Sequence, residues 1–331
     1  MSRLAVITLA CLAAAPLAEA FAPSLIRPLS PSPFSSHRTA PITPLGLPLA
    51  AASLRPSPPL SLRMSAKEGG LGLTHECSDG TKIKYDHIPA ANPTIMYLPG
   101  LFQTRYDSKF NALQSWCKRN NYGYFVADYY GCGQSGGDKD KACISRWTQD
   151  TLTIIDEVIK GPVILCGSGV GGWVMLHVAL QAPKDTVYGL VGVAADPDFT
   201  TDLVLPSLSE ETLAKIKKEG SAMIKWGNNE YTMSQTFIDD AENNLVMKGG
   251  PSSLKVPCPV RLVQGLGDEE IPAERALTLC DVLATDDVVV SYTKLGNHVL
   301  DDEEDMRLVA SHLGDLASRY FEYDLKSPQS G

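Results

Sequence analysis

Beyond about residue 80 the chain alternates short apolar runs with longer stretches whose apolar positions recur every three to four residues. The runs predict strands at 81–88, 94–98, 124–128, 162–166, 187–194, 260–264 and 288–293. The longer stretches predict helices at 107–121, 146–160, 173–181 and 302–320. In 146–160 the helical stripe is Trp147, Leu152, Ile154, Ile155, Val158 and Ile159. Val163-Ile164-Leu165-Cys166, after Pro162, has no charged or strongly polar position, the mark of a strand covered on both faces. Such alternation predicts an α/β fold, a mostly parallel central sheet with helices on both faces. Residues 196–252 break the alternation and are expected to form a small, largely helical cap.

The N-terminal segment follows another pattern. Residues 1–20 carry Arg3, an apolar run from Leu4 to Leu17 and then Ala18-Glu19-Ala20, the layout of a secretory signal peptide. Residues 21–66 open with Phe21-Ala22-Pro23-Ser24, hold Arg27, Arg38, Arg55 and Arg63, and contain no acidic residue. A Pro-, Ser- and Ala-rich composition of this kind buries too little apolar surface to fold and matches transit peptides. A signal peptide followed by a transit-like segment resembles the bipartite presequence of secondary plastids, which implies a plastid stroma. Secretion with a Pro-rich linker and mitochondrial import are the alternatives. The globular domain is expected over 67–331. The apolar run of the leader is short for a membrane span and no later run is longer, so no stable span is expected.

The 331 residues carry a formal net charge of −9, and no basic stripe is visible, which argues against a nucleic-acid partner. The eight cysteines form no CxxC pair and no zinc-ligand spacing, so they read as core thiols of a reducing compartment. No metal site is expected.

Four loops follow predicted strands, at the ends where open α/β sheets bind ligands. They are Leu98-Pro99-Gly100-Leu101-Phe102, Gly167-Ser168-Gly169-Val170-Gly171-Gly172, the 265–272 loop with Asp268, and Gly296-Asn297-His298. A strand, a glycine-rich turn and a helix, followed in order by Asp and His, is the α/β-hydrolase arrangement. In that arrangement His298 is the general base, and Asp268 holds its tautomer and steadies its positive charge. The backbone N–H groups of Leu101 and Val170 form the oxyanion hole. The acidic run Asp301 to Asp305 opens the last helix, where it complements the helix dipole.

Further residues narrow the resemblance. They are Leu98-Pro99-Gly100, Asp128-Tyr129-Tyr130-Gly131-Cys132-Gly133, Trp147 with Asp150, Gly171-Gly172-Trp173 with Met175-Leu176-His177, and Cys258-Pro259-Val260-Arg261-Leu262. Together they resemble the mitochondrial palmitoyl-protein thioesterase branch of the α/β hydrolases, also described as acyl-glucuronide esterases. The resemblance runs from about residue 80 to 320 and includes the cap, where Phe237-Ile238 and Ala241-Glu242 fall in step. It implies hydrolysis of acyl thioesters or carboxylic esters, on a small molecule or a protein, without a cofactor.

One position departs. In the G-x-S-x-G elbow aligned on Gly167 and Gly171, the nucleophile position is Gly169. The only hydroxyl in the turn is Ser168, one residue early, and alternation of side chains is expected to aim it away from His298. Three readings stay open here. Ser168 acts as nucleophile after a register shift; or the protein does not form an acyl-enzyme, and either activates water or only binds an acyl or terpenoid ligand or a protein partner; or the glycine is a single-base sequence error. Cys132 and Cys166 are expected to be core thiols, and Trp147, Trp173 and His177 packing residues.

Overall fold

The computed structural model describes residues 69–326. The leader segments 1–20 and 21–66 lie outside the described residues. An eight-stranded sheet runs in the order β1-β2-β4-β3-β5-β6-β9-β10. Its strands are β1 (Gly70–Glu76), β2 (Lys82–Ile88), β3 (Ala91–Leu98), β4 (Tyr122–Ala127), β5 (Val163–Ser168), β6 (Val187–Val193), β9 (Val260–Gly265) and β10 (Val288–Thr293). β1 and β2 pair antiparallel, as do β2 and β4, and the remaining pairs are parallel.

The central strand β5 is buried at every position, which is why its sequence is one apolar run rather than an alternating one. Its side chains separate by parity into two cores. Val163 and Leu165 join the core under α2 (Ile144–Ile154) and α3 (Val170–Gln181), with Trp147 and Trp173. Ile164 and Cys166 join the opposite core, under α1 (Phe110–Arg119) and α8 (Glu303–Lys326). α1 buries Phe110, Leu113 and Cys117 at helical spacing. The helix predicted over 146–160 continues past α2 as a single π-helical turn, Ile155–Ile159, closed by Lys160 in the left-handed region at φ 52°.

Two elements escape the hydrophobic pattern. β1 is an edge strand with a mixed, half-exposed face, and α7 (Glu274–Val282) buries only Ala276, Leu279 and Val282. The cap is also more mixed than expected. It contains the short α4 (Leu205–Ser207), α5 (Glu210–Glu219) and α6 (Gln235–Asn243), but between α5 and α6 an antiparallel hairpin pairs β7 (Ser221–Trp226) with β8 (Asn229–Ser234). The hairpin's alternation is visible in Ala222 and Ile224 facing in and Met223 and Lys225 facing out. Trp173 Nε1 and His177 Nε2 both lie 2.9 Å from the Asn244 carbonyl, so these two helix residues tie the cap to α3.

Candidate active site

The elbow between β5 and α3 is built from glycines that cannot be replaced. A Cβ at Gly167 would stand 2.4 Å from the Gly171 carbonyl oxygen, one at Gly171 2.1 Å from that of Leu98, and one at Gly172 2.4 Å from Ala195 Cβ. Gly169 is different. It has the strained elbow conformation, φ 52° and ψ −118°, but the only atom within 4 Å of its Cβ position is His298 Nε2, at 3.9 Å. Close packing therefore demands glycine at 167, 171 and 172, while at 169 the turn is shaped for a side chain and has none. Ser168 ends β5 on the pocket wall, 7% exposed, and among the described residues no hydrogen bond joins it to His298.

Asp268 and His298 arrive on two interlocked loops. Gly265 packs against Gly296, and the Gly267 N–H donates to the Gly296 carbonyl at 2.9 Å. An Asx turn, with Asn297 Oδ1 accepting from the Val299 and Leu300 N–H groups, carries His298. His298 Nδ1 lies 3.0 Å from Asp268 Oδ2. The same carboxylate accepts from Gln264 Nε2 and from the N–H groups of Glu270 and Ile271, each at 2.9 Å, so its lone pairs are satisfied and its direction is set.

The electrostatics reinforce that arrangement. Burial opposes charge on Asp268, but the His298 hydrogen bond and charge and the two backbone donors outweigh it and hold its pKa below the usual carboxylate value. Burial likewise opposes protonation of His298, yet Asp268, and then Glu270, raise its pKa above the ordinary imidazole value. Glu270 Oε2 lies 3.8 Å from His298 Nε2, on the ring edge opposite Asp268. Leu101 and Val170 both line the same cavity, and among the described residues no hydrogen bond to another group claims either backbone N–H.

The cavity is small, about 60 Å³, and Trp226, Asn229 and Tyr231 of the cap hairpin close it. Three charged residues on its wall were missed by sequence reasoning. Glu270 is the last of three consecutive acids, Asp268-Glu269-Glu270, of which only the first has a place in the α/β-hydrolase order. Lys109 stands at the start of a helix beside polar residues and reads as surface. Asp196, 1% exposed, follows β6 at a carboxyl end of the sheet, a position that could have flagged it. Burial pushes Asp196 up to about 7 against the pull of its ion pair with Arg275.

The expected packing residues do pack. Trp147 and Trp173 are fully buried, and Cys132 and Cys166 lie in the cores, where burial pushes both thiols up to about 12. Among the described residues no cluster of His, Cys, Asp and Glu is arranged to hold a metal, and no helix is long and apolar enough to cross a membrane.

A parallel sheet with a strand–elbow–helix unit, an Asp after one later strand and a His after the next, defines an α/β hydrolase. The chain belongs to the family described as serine aminopeptidase, S33, whose model matches residues 92–266. It is 31% identical over 274 residues to the mouse protein named mitochondrial palmitoyl-protein thioesterase ABHD10, covering 81% of this chain and 90% of the relative. The solved structure of mouse α/β hydrolase domain-containing protein 10 superposes with a TM-score of 0.67 at 29% identity, over 75% of this chain and 98% of that one. A putative hydrolase from Agrobacterium vitis S4 gives a TM-score of 0.68 at 27% identity, over 74% and 97%.

Proposed function

We propose that the protein hydrolyses acyl thioesters or carboxylic esters by general-base delivery of water, without an acyl-enzyme. One observation carries this reading: His298 Nε2 stands 3.9 Å from the side-chain position of residue 169, and glycine there leaves room for a water where a serine hydroxyl would sit. Relatives named palmitoyl-protein thioesterase support an acyl thioester as the bond broken. The acyl acceptor before cleavage is a small thiol or alcohol or a protein side chain. No cofactor or metal takes part.

In the proposed step His298 Nε2 accepts a proton as the water oxygen attacks the carbonyl carbon. Asp268 steadies the imidazolium, and the N–H groups of Leu101 and Val170 receive the developing oxyanion. Collapse expels the thiolate or alkoxide, which leaves with the proton held by His298, and the products are a carboxylic acid and a thiol or alcohol. Without a nucleophile the turnover expected is modest, on the scale of the 10³- to 10⁴-fold advantage over water that a triad-less site retains. Ser168 has no part in this scheme.

The test is turnover of a short acyl thioester by the full chain, read beside its mass after fluorophosphonate treatment. Turnover that His298→Ala abolishes, with no adduct, supports water attack. An adduct that Ser168→Ala removes, together with the activity, replaces water by a serine in shifted register. Turnover no greater than that of His298→Ala leaves only the second reading. That reading, favoured by the missing hydroxyl, is a pocket that binds an acyl or terpenoid ligand, or a protein partner, and does not turn it over.

Delivery to a plastid is proposed from the composition of residues 1–66, whereas the relatives are named mitochondrial. A fluorescent fusion of residues 1–67 distinguishes the two compartments, and a secreted signal would discard both.

A further inference from the structure

Lys109 sits at the N-cap of α1, 1% exposed, on the wall of the cavity that holds Gly169, Leu101, Val170 and His298. Its backbone N–H is satisfied by Asp107 Oδ1 at 3.0 Å, but among the described residues its ammonium makes no hydrogen bond and no ion pair. The neighbouring acids do not serve it. Asp107 is spent on Tyr97 Oη and on two amides at the start of α1, and Asp301 and Asp305 act on Lys109 only at a distance.

Two unfavourable effects converge on this one group. An ammonium on so buried a side chain, with no hydrogen bond or ion pair to the protein, has given up most of its hydration without compensation. A cation at a helix N-terminus opposes the helix dipole. Lysine side chains are almost never fully buried unless paired. Burial accordingly pulls its pKa down, countered in part by the charge of Asp107 and then of Asp301 and Asp305. Local sequence preference does not account for a lysine here, whereas an anion in the cavity would relieve both effects at once.

We propose that Lys109 anchors a carboxylate subsite: its ammonium, with the Leu101 and Val170 N–H groups, holds the carboxylate of the acyl product and, before it, the charge that develops on the substrate carbonyl. The identity of the anion rests on the hydrolase reading above, since hydrolysis of an acyl ester leaves a carboxylate at this point. The other carboxyl groups near the cavity have partners of their own, Asp268 and Glu270 in His298 and Asp196 in Arg275, and among the described residues none of them pairs with Lys109.

The experiment is calorimetric titration of the full chain with sodium propionate at constant ionic strength, with propionamide as the neutral isostere. The intact protein is expected to bind propionate and not propionamide, and Lys109→Met is expected to weaken propionate by about 10- to 100-fold, the scale of one charge-assisted hydrogen bond. Lys109→Arg should retain part of the affinity. Equal binding of propionate by Lys109→Met, or of propionamide by the intact protein, overturns the subsite. Should Lys109→Met not fold, the ¹⁵Nζ signal of Lys109 in the intact protein replaces it: a shift on adding propionate supports the contact and no shift overturns it. Lys109-dependent propionate binding without any turnover would keep the subsite and discard the hydrolase. Turnover without such binding would do the reverse.

Discussion

His298 is held between two carboxylates: Asp268 Oδ2 lies 3.0 Å from Nδ1 and Glu270 Oε2 lies 3.8 Å from Nε2. The second carboxylate lies beyond hydrogen-bond reach of the same nitrogen that stands 3.9 Å from the side-chain position of residue 169. Asp268 orients the base, and Glu270 adjusts how readily that base is protonated.

Removal of Glu270 tests this division. Its negative charge is one of the causes that, against burial, raise the His298 pKa, so in Glu270→Gln that pKa falls. The neutral, proton-accepting imidazole then forms at lower pH, and the acid limb of the kcat/KM profile moves down. A ¹H NMR titration of the His298 ring reads the same shift directly. An unmoved limb, with activity lost, would make Glu270 itself the base.

The same ionisation contributes to stability with a definite sign. The folded-state pKa of His298 is raised, so its contribution is full below the unfolded-state value of about 6.5 and is lost as pH rises through the folded-state value. The stability gap between the intact protein and His298→Gln in urea should therefore be larger at about pH 5.5 than at about pH 9. A gap that grows toward alkaline pH would contradict the assignment.

Gly169→Ser should complete the elbow. The turn already has the required backbone, and the only neighbour of the new Cβ is the base. Intact mass should show one fluorophosphonate adduct, and ester turnover should rise by roughly 10²-fold or more, as restoring a nucleophile implies. A non-glycine residue at φ 52° should lower stability by about 1–2 kcal/mol, read by urea unfolding. Failure to label a folded Gly169→Ser would mean that the elbow is not aimed at a reacting carbonyl.

The loop that carries Leu101 and Lys109 is anchored by Arg105. Its guanidinium, 2% exposed, pairs with Asp128 and approaches Asp86 at 3.4 Å, and its backbone N–H donates to Asp128 Oδ1 at 2.6 Å. Arg105→Met leaves both aspartates buried without their cation and should destabilise the fold by about 3–5 kcal/mol. A change below about 1 kcal/mol in urea unfolding would show that the network is dispensable.

The cap hairpin sets the size of the cavity. Trp226 lies on its wall, so Trp226→Ala should raise the ratio of kcat/KM for octanoyl over acetyl esters, by about tenfold or more if the added chain enters the space released. An unchanged ratio would place chain selection elsewhere.

Much of this molecule was legible in one dimension, for a physical reason. The strand β5 is buried at every position and opens with the apolar run Val163 to Cys166, and β3, β6 and β9 carry shorter apolar stretches of the same kind, because burial on both faces leaves few positions for solvated side chains. The elbow glycines are dictated by contacts of 2.1–2.4 Å, and the loops of Asp268 and His298 follow their strands in a set order, so the gap at Gly169 was also readable. The edge strand β1 and the β7–β8 hairpin were not, because half-exposed strands carry polar residues that read as loops. Nor could sequence distinguish Lys109 and Glu270 from ordinary surface charges, and for Asp196 it offered only a position at the carboxyl end of β6. None of the three is a motif residue, and the meaning of each comes from burial and from what stands opposite it. Those are properties of three chain segments meeting in space, which only the tertiary fold decides.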